Sequence, residues 1–130
     1  MGASKKNKAE KIKEDKKTLA VAKLNNCPTS PRKMRLVADL VRGENIYTAL
    51  NILRYNPKHA SRNLEKLLLS AINNWEQKND GSDPVEANLV VKEIYVDSAR
   101  MLKRIQAAPQ GRAHRIRKRS NHVTLIIDKG

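Results

Sequence analysis

The sequence predicts an α+β fold: three helices packed on a small antiparallel sheet, with a long protruding β-hairpin. Three observations lead there. Apolar residues recur at helical spacing in three stretches between residues 31 and 78. Short aliphatic, partly β-branched runs stand at 18–25, 85–97 and 122–129. Between the last two, where a short turn would suffice, lies "SARMLKRIQAAPQGRAHRIRKRSNHV", residues 98–123, with eight lysines and arginines and no acid.

A chain of 130 residues is one domain by length, placed here at 18–130 behind a lysine-rich tail at 1–17. Ile12 is the tail's only sizeable apolar side chain, too little to offset the entropy of ordering, so the tail is expected to be disordered when free, with a helix on binding left open. It is either a solvated solubility tail or an RNA-contacting extension. "TLAVAKLN" (18–25), bounded by Asn-Asn and Pro28, reads as a strand.

In "TSPRKMRLVADLVRGEN", Ser30 stands as N-cap, Pro31 as first helical residue and Gly43 as the stop. Met34, Val37, Ala38 and Val41 form the apolar stripe, widened by Leu36 and Leu40. Arg32, Lys33 and Arg35 crowd the first turn, the wrong end of the helix dipole for cations, so an external anion accounts for them better than local stability does. Asn45 caps a second short helix, "IYTALNILRY". Asn56-Pro57 repeats the device and opens the longest helix, 57–78, with a stripe running from Ala60 through Leu64, Leu68 and Ile72 to Trp75. The register of Trp75 with the leucines gives it a packing role rather than one in base stacking. "NDGSDP" (79–84) is a turn.

Aromatics make up 3% of the chain and phenylalanine is absent, so the core must be aliphatic. The net charge of +14 strains a compact state unless a polyanion neutralises it, and nucleic acid is the partner that rewards such a surplus. A membrane partner is disfavoured, because no apolar run approaches the ~20 residues that span a bilayer and no basic amphipathic helix has an aromatic face. The basic start is not followed by the apolar stretch of a signal peptide. Cys27 is the single cysteine, compatible with a reducing cytosol and best read as a small buried or semi-buried hydrophobe.

The acid-free segment turns at Ala108-Pro109-Gln110-Gly111, which makes 85–105 and 112–128 the arms of one hairpin extending beyond the body over about 97–121. An isolated two-stranded ribbon bearing like charges is marginal in water, so its order must come from a partner. Arg112, Arg115, Arg117, Lys118 and Arg119 fall on both sides of a strand, so the partner must enclose the finger. Folded RNA does this better than duplex DNA gripped by an arm. No aromatic follows Tyr95, which argues against stacking on single strands. Ala107 and Ala108 either permit a tight turn or keep a passage clear at the tip, with Gln106 and Gln110 beside them.

No phosphate loop, dinucleotide fingerprint, zinc spacing or nucleophile elbow is present, so no cofactor or metal is expected. The best enzymatic construction is a nuclease using His114 and His122, but no carboxylate in the segment orients either. Both are assigned to RNA contact or to the hairpin base.

"SPRKMRLVADLVRG" (30–43) and "GRAHRIRKRSNHVT" (111–124), with the long helix between them, resemble the bacterial large-subunit ribosomal protein twenty-two family over about residues 19–128. The resemblance implies a non-enzymatic cytoplasmic protein in the ribosome. Its body would sit near the exit of the polypeptide tunnel, and its hairpin would thread large-subunit rRNA to line that tunnel. It implies neighbouring ribosomal proteins and the nascent polypeptide as further partners, and a part in subunit assembly. Arg32, Lys33 and Arg35 match the family's body contacts; Lys103, Arg104, Gly111, Arg112, Arg115, Lys118, Arg119 and His122 match its hairpin contacts. Arg100, His114 and Arg117 join the RNA-binding set by their place in the finger, and Gln106 to Gln110 form the tunnel tip. Ala99-Arg100 stands where a Gly-Pro pair is common in the family, and Ala107-Ala108-Pro109 replaces a Pro-Arg-Ala tip, so tunnel-wall details are not carried over.

Overall fold

The computed structural model describes residues 2–130. Helix α1 (Gly2–Thr18) leads through Leu19 into strand β1 (Ala20–Cys27). Helices α2 (Pro31–Val41), α3 (Ile46–Tyr55) and α4 (His59–Lys78) follow, and then β2 (Leu89–Ser98), β3 (Leu102–Ala107), β4 (Ala113–Lys118) and β5 (Asn121–Lys129). The last strand lies in the middle of the body sheet, whose order is β1-β5-β2, with both pairings antiparallel. Along β5, Asn121, Val123, Leu125 and Ile127 are buried while the residues between them are half-buried, the period of two that a sheet with one covered face requires.

Helices α2, α3 and α4 supply the other half of the core. Met34, Val37, Leu53, Leu64, Leu68 and their neighbours meet Leu89, Ile94, Leu125 and Ile127 in one aliphatic cluster. Trp75 belongs to it at 4% exposure, and Cys27 is buried too. The α+β class and the three body helices are as the sequence predicts.

Five details differ from expectation. Strand β1 spans Ala20–Cys27 rather than 18–25, because Thr18 still belongs to the preceding helix. The tail, outside Met1, forms α1, an exposed helix with no buried residue. Alanine, lysine and glutamate are good helix formers, so backbone hydrogen bonding can shape this segment even though it has nothing to pack against. Helix α4 begins at His59 rather than 57: the Asn56 carboxamide accepts from Lys58 N–H at 2.9 Å, and this turn holds Pro57 outside the helix. Strand β2 begins at Leu89 rather than 85, because Asp83 accepts from Val85 N–H at 2.9 Å and prolongs the turn.

The hairpin, finally, is two ladders rather than one. β2 pairs β5 in the body and β3 pairs β4 in the finger; Ala99 N–H, donating to the Ser120 carbonyl at 3.0 Å, lies between them. The break comes just past Val96 and Val123, the last buried apolar residues on the two arms, beyond which packing no longer enforces the register.

Candidate nucleic-acid interface

Every residue of β3 and β4 is exposed. Directly opposed residues share a face, so the register assigns the side chains: Lys103, Ile105, Arg115 and Arg117 lie on one face, and Leu102, Arg104, His114, Ile116 and Lys118 on the other. Both faces are therefore cationic. The opposition is less repulsive than composition suggests, because Ile105 stands across from Arg115 and Ile116 across from Arg104, leaving Lys103 and Arg117 as the directly opposed like charges in this ladder. Arg100, Arg112 and Arg119 extend the charge to both ends, all exposed.

None of these cations has a carboxylate partner. Among the described residues the ion pairs are Arg42–Asp39 at 2.6 Å and Lys92–Asp128 at 2.8 Å, both in the body. A guanidinium without a protein partner retains its full set of donors for phosphate, and six of the eight finger cations are arginines.

The tip is closed by Ala108 N–H donating to the Arg112 carbonyl at 2.9 Å. Gln110 (φ 63°) and Gly111 (φ 69°) both adopt the left-handed conformation, so the turn presents Pro109 and Gln110 outward beside the small Ala107 and Ala108.

At the start of α2, Ser30 holds the N-cap position but its side chain makes no capping bond. Arg32 and Lys33 project freely there, so uncapped N–H groups and two cations are available to an anion together. Arg35 is placed differently. Its Nε and Nη2 donate to the Val96 carbonyl at 3.3 and 2.9 Å, which ties α2 to β2.

The structure adds Lys58 and His59, missed in the sequence, which line a groove with Thr29, Lys33, Leu36 and Ala60. The start of α4 thus lies beside the start of α2, and basic side chains gather where both helix dipoles already place positive partial charge.

His114 and His122 are not brought together. His114 opposes Gln106 in the finger, whereas His122 lies at its base, with Nδ1 accepting from Asn26 N–H at 3.0 Å. Eight residues of extended chain separate them by roughly 26 Å, so no shared acid–base chemistry is available. The described residues contain no group of three His, Cys, Asp or Glu side chains placed to hold a metal, and no helix long and apolar enough to cross a membrane.

Comparison of the sequence with known proteins points to one family. Residues 22–128 match the family model described as ribosomal protein L22p/L17e. The chain is 68% identical over 127 residues to the large ribosomal subunit protein uL22 of Flavobacterium johnsoniae, covering 98% of this chain and 93% of that one. It is 65% identical to the protein of the same name from Christiangramia forsetii (98% and 94% covered) and 57% identical to that from Bacteroides fragilis (98% and 93% covered). The chain belongs to the ribosomal protein L22p/L17e family.

Proposed function

We propose that the chain binds folded large-subunit rRNA and supports subunit assembly, its finger lining the polypeptide exit tunnel and its body lying near the tunnel exit. Family membership makes it a non-enzymatic structural constituent of the large ribosomal subunit, and hence of the cytoplasmic ribosome. One observation carries the RNA reading: an exposed ribbon with cations on both faces, no carboxylate partners and no core of its own. Only a partner that surrounds it with negative charge can neutralise both faces at once, and RNA backbones approaching from several directions do so.

In this reading Arg100, Lys103, Arg104, Arg112, His114, Arg115, Arg117, Lys118 and Arg119 contact rRNA along the finger, with Gly111 allowing close approach of backbone at the turn. Arg32 and Lys33 contact it from the body. Arg35 and His122 contribute mainly by holding the base of the finger, leaving only their remaining nitrogens for RNA. The nascent polypeptide passes Gln106, Ala107, Ala108, Pro109 and Gln110, and neighbouring ribosomal proteins meet the body.

The test is removal of residues 99–117 with closure of the hairpin, followed by binding to folded large-subunit rRNA. The expected result is a folded body with sharply weaker affinity and a shallower dependence on salt, by roughly 0.7 to 0.9 in log–log slope for each phosphate that is no longer neutralised. Unchanged affinity and slope would overturn the reading.

A further inference from the structure

Helix α1 lies outside the residues that the family model matches, yet the matches to relatives, which cover 98% of the chain, extend into it. It is exposed throughout, with no apolar side to lay in a protein groove. Its charges, however, are sorted. At 100° per residue, Lys5, Lys6, Lys13, Lys16 and Lys17 fall within an arc of ~120° that contains no acid. Glu10, Glu14 and Asp15 occupy the remaining circumference with Lys8 and Lys11, which gives that side a net single negative charge.

The cations of α1 are all lysine, whereas those of the finger are mostly arginine. A lysine ammonium is a point charge that neutralises phosphate without the planar fork that reads base edges, and α1 carries no aromatic on which an unpaired base could stack. These features fit a nucleic-acid surface whose bases are hidden. From Lys5 and Lys6 to Lys16 and Lys17 the arc runs ~16 Å along the axis, long enough to touch phosphates of both strands flanking a groove.

The helix is also held at its end. Thr18 Oγ1 donates to the Asp15 carbonyl at 2.8 Å, Lys78 Nζ donates to the Leu19 carbonyl, and β1 begins at the next residue. The lysine arc is thereby joined to the body without an intervening linker.

We propose that α1 is a second RNA-binding element, which lays its lysine arc across a groove of double-helical rRNA. This rests on the rRNA reading above and adds to it a site, a face and a class of RNA structure.

The test uses the full chain with two charge-matched variants: K13Q/K17Q on the arc and K8Q/K11Q on the opposite side. Glutamine keeps the helix propensity of lysine, so folding is not at issue. Binding is measured against salt on a blunt 20-base-pair RNA duplex, an unstructured single strand of 20 nucleotides, and vesicles containing anionic lipid. The expected result is a duplex slope shallower by about 1.8 for K13Q/K17Q. K8Q/K11Q should retain the parent slope, and the single strand should be affected less than the duplex. Equal losses in the two variants, no loss in K13Q/K17Q, or an arc-dependent preference for vesicles would overturn the proposal. If the parent chain shows no salt-dependent affinity for either RNA or for folded rRNA, the rRNA reading itself falls; if it binds and only the difference between faces is missing, the fault lies with α1 alone.

Discussion

The backbone N–H of Asn26 donates to Nδ1 of His122 at 3.0 Å, joining the irregular end of β1 to the strand that leads out of the finger. Asn26 has φ 54°, and the β1–β5 register shifts between Leu24 and Cys27, so this N–H is turned out of the regular ladder and the imidazole receives it. Nδ1 can accept only if the proton is on Nε2, and Nε2–H is thereby left as a donor. The nitrogen-15 shifts of His122 should accordingly report the Nε2–H tautomer in the free protein at neutral pH. His122→Ala should cost about 1 kcal/mol in urea unfolding, the value of one unreplaced hydrogen bond. Equal population of the two tautomers would mean that this bond does not set the imidazole.

Arginines within and just after α2 close the open edge of β2. That strand pairs with β5 on one side only; on the other, Val91 exchanges hydrogen bonds with Gly43 and Glu44, while Arg42 Nη2 donates to the Ile94 carbonyl at 3.0 Å and Arg35 to that of Val96. An unpaired edge is a template for another strand, and these side chains occupy it. Arg35→Ala is expected to lower stability by about 1 to 2 kcal/mol, with less than half recovered in Arg35→Lys, since an ammonium cannot reproduce the two-nitrogen contact. In the R35A/R42A double variant, sedimentation should detect concentration-dependent self-association that the parent lacks.

Arg35 also marks where sequence reading stops. The first-turn cations of α2 suggest an external anion, and for Arg32 and Lys33 the geometry leaves that role open, but nothing in local spacing says that a third cation folds back 61 residues ahead onto Val96. The strands and helices were legible because their burial follows periods of 2 and 3.6; β5 is the clearest case, with alternate residues buried along its length. Boundaries were less legible where a side chain caps the backbone locally, as Asn56 and Asp83 do. The division of the hairpin into two ladders depends on where core contact ends, and the groove between the starts of α2 and α4 depends on packing between elements; neither is written in any one segment.

Lys92 and Asp128 face each other across the β2–β5 pair at 2.8 Å. Their hydrogen bond holds the Asp128 carboxyl below its ordinary 3.8, helped by Lys129, and raises Lys92 above its ordinary 10.5. The carboxylate's contribution is complete above 3.8 and fades as pH falls through its lowered folded value; the ammonium's is complete below 10.5 and fades as pH rises through its raised one. Both groups are about half exposed, so the effect is small and screened by salt. Relative to the parent, Asp128→Asn should show a constant deficit between those two values that closes at either extreme and shrinks in high salt. A deficit that persists unchanged at low pH would point to packing rather than charge.

At the tip, conformation and stability separate. Gly111 has φ 69° with open space where a Cβ would stand, so Gly111→Ala meets no clash and costs only the left-handed backbone, about 1 kcal/mol. Gln110, at φ 63°, already bears that strain, which Gln110→Gly removes. Neither residue touches the core, and the finger has no buried residue to transmit the change, so both variants should melt with the parent. The local reporter is the Ala108 amide, which donates to the Arg112 carbonyl across the turn. Its hydrogen exchange should be about fivefold faster in Gly111→Ala and slower in Gln110→Gly, while amides of β5 keep their protection. A shift of several degrees in the global melt would show instead that finger and body unfold as one unit, and that the ribbon draws its order from the protein rather than from RNA.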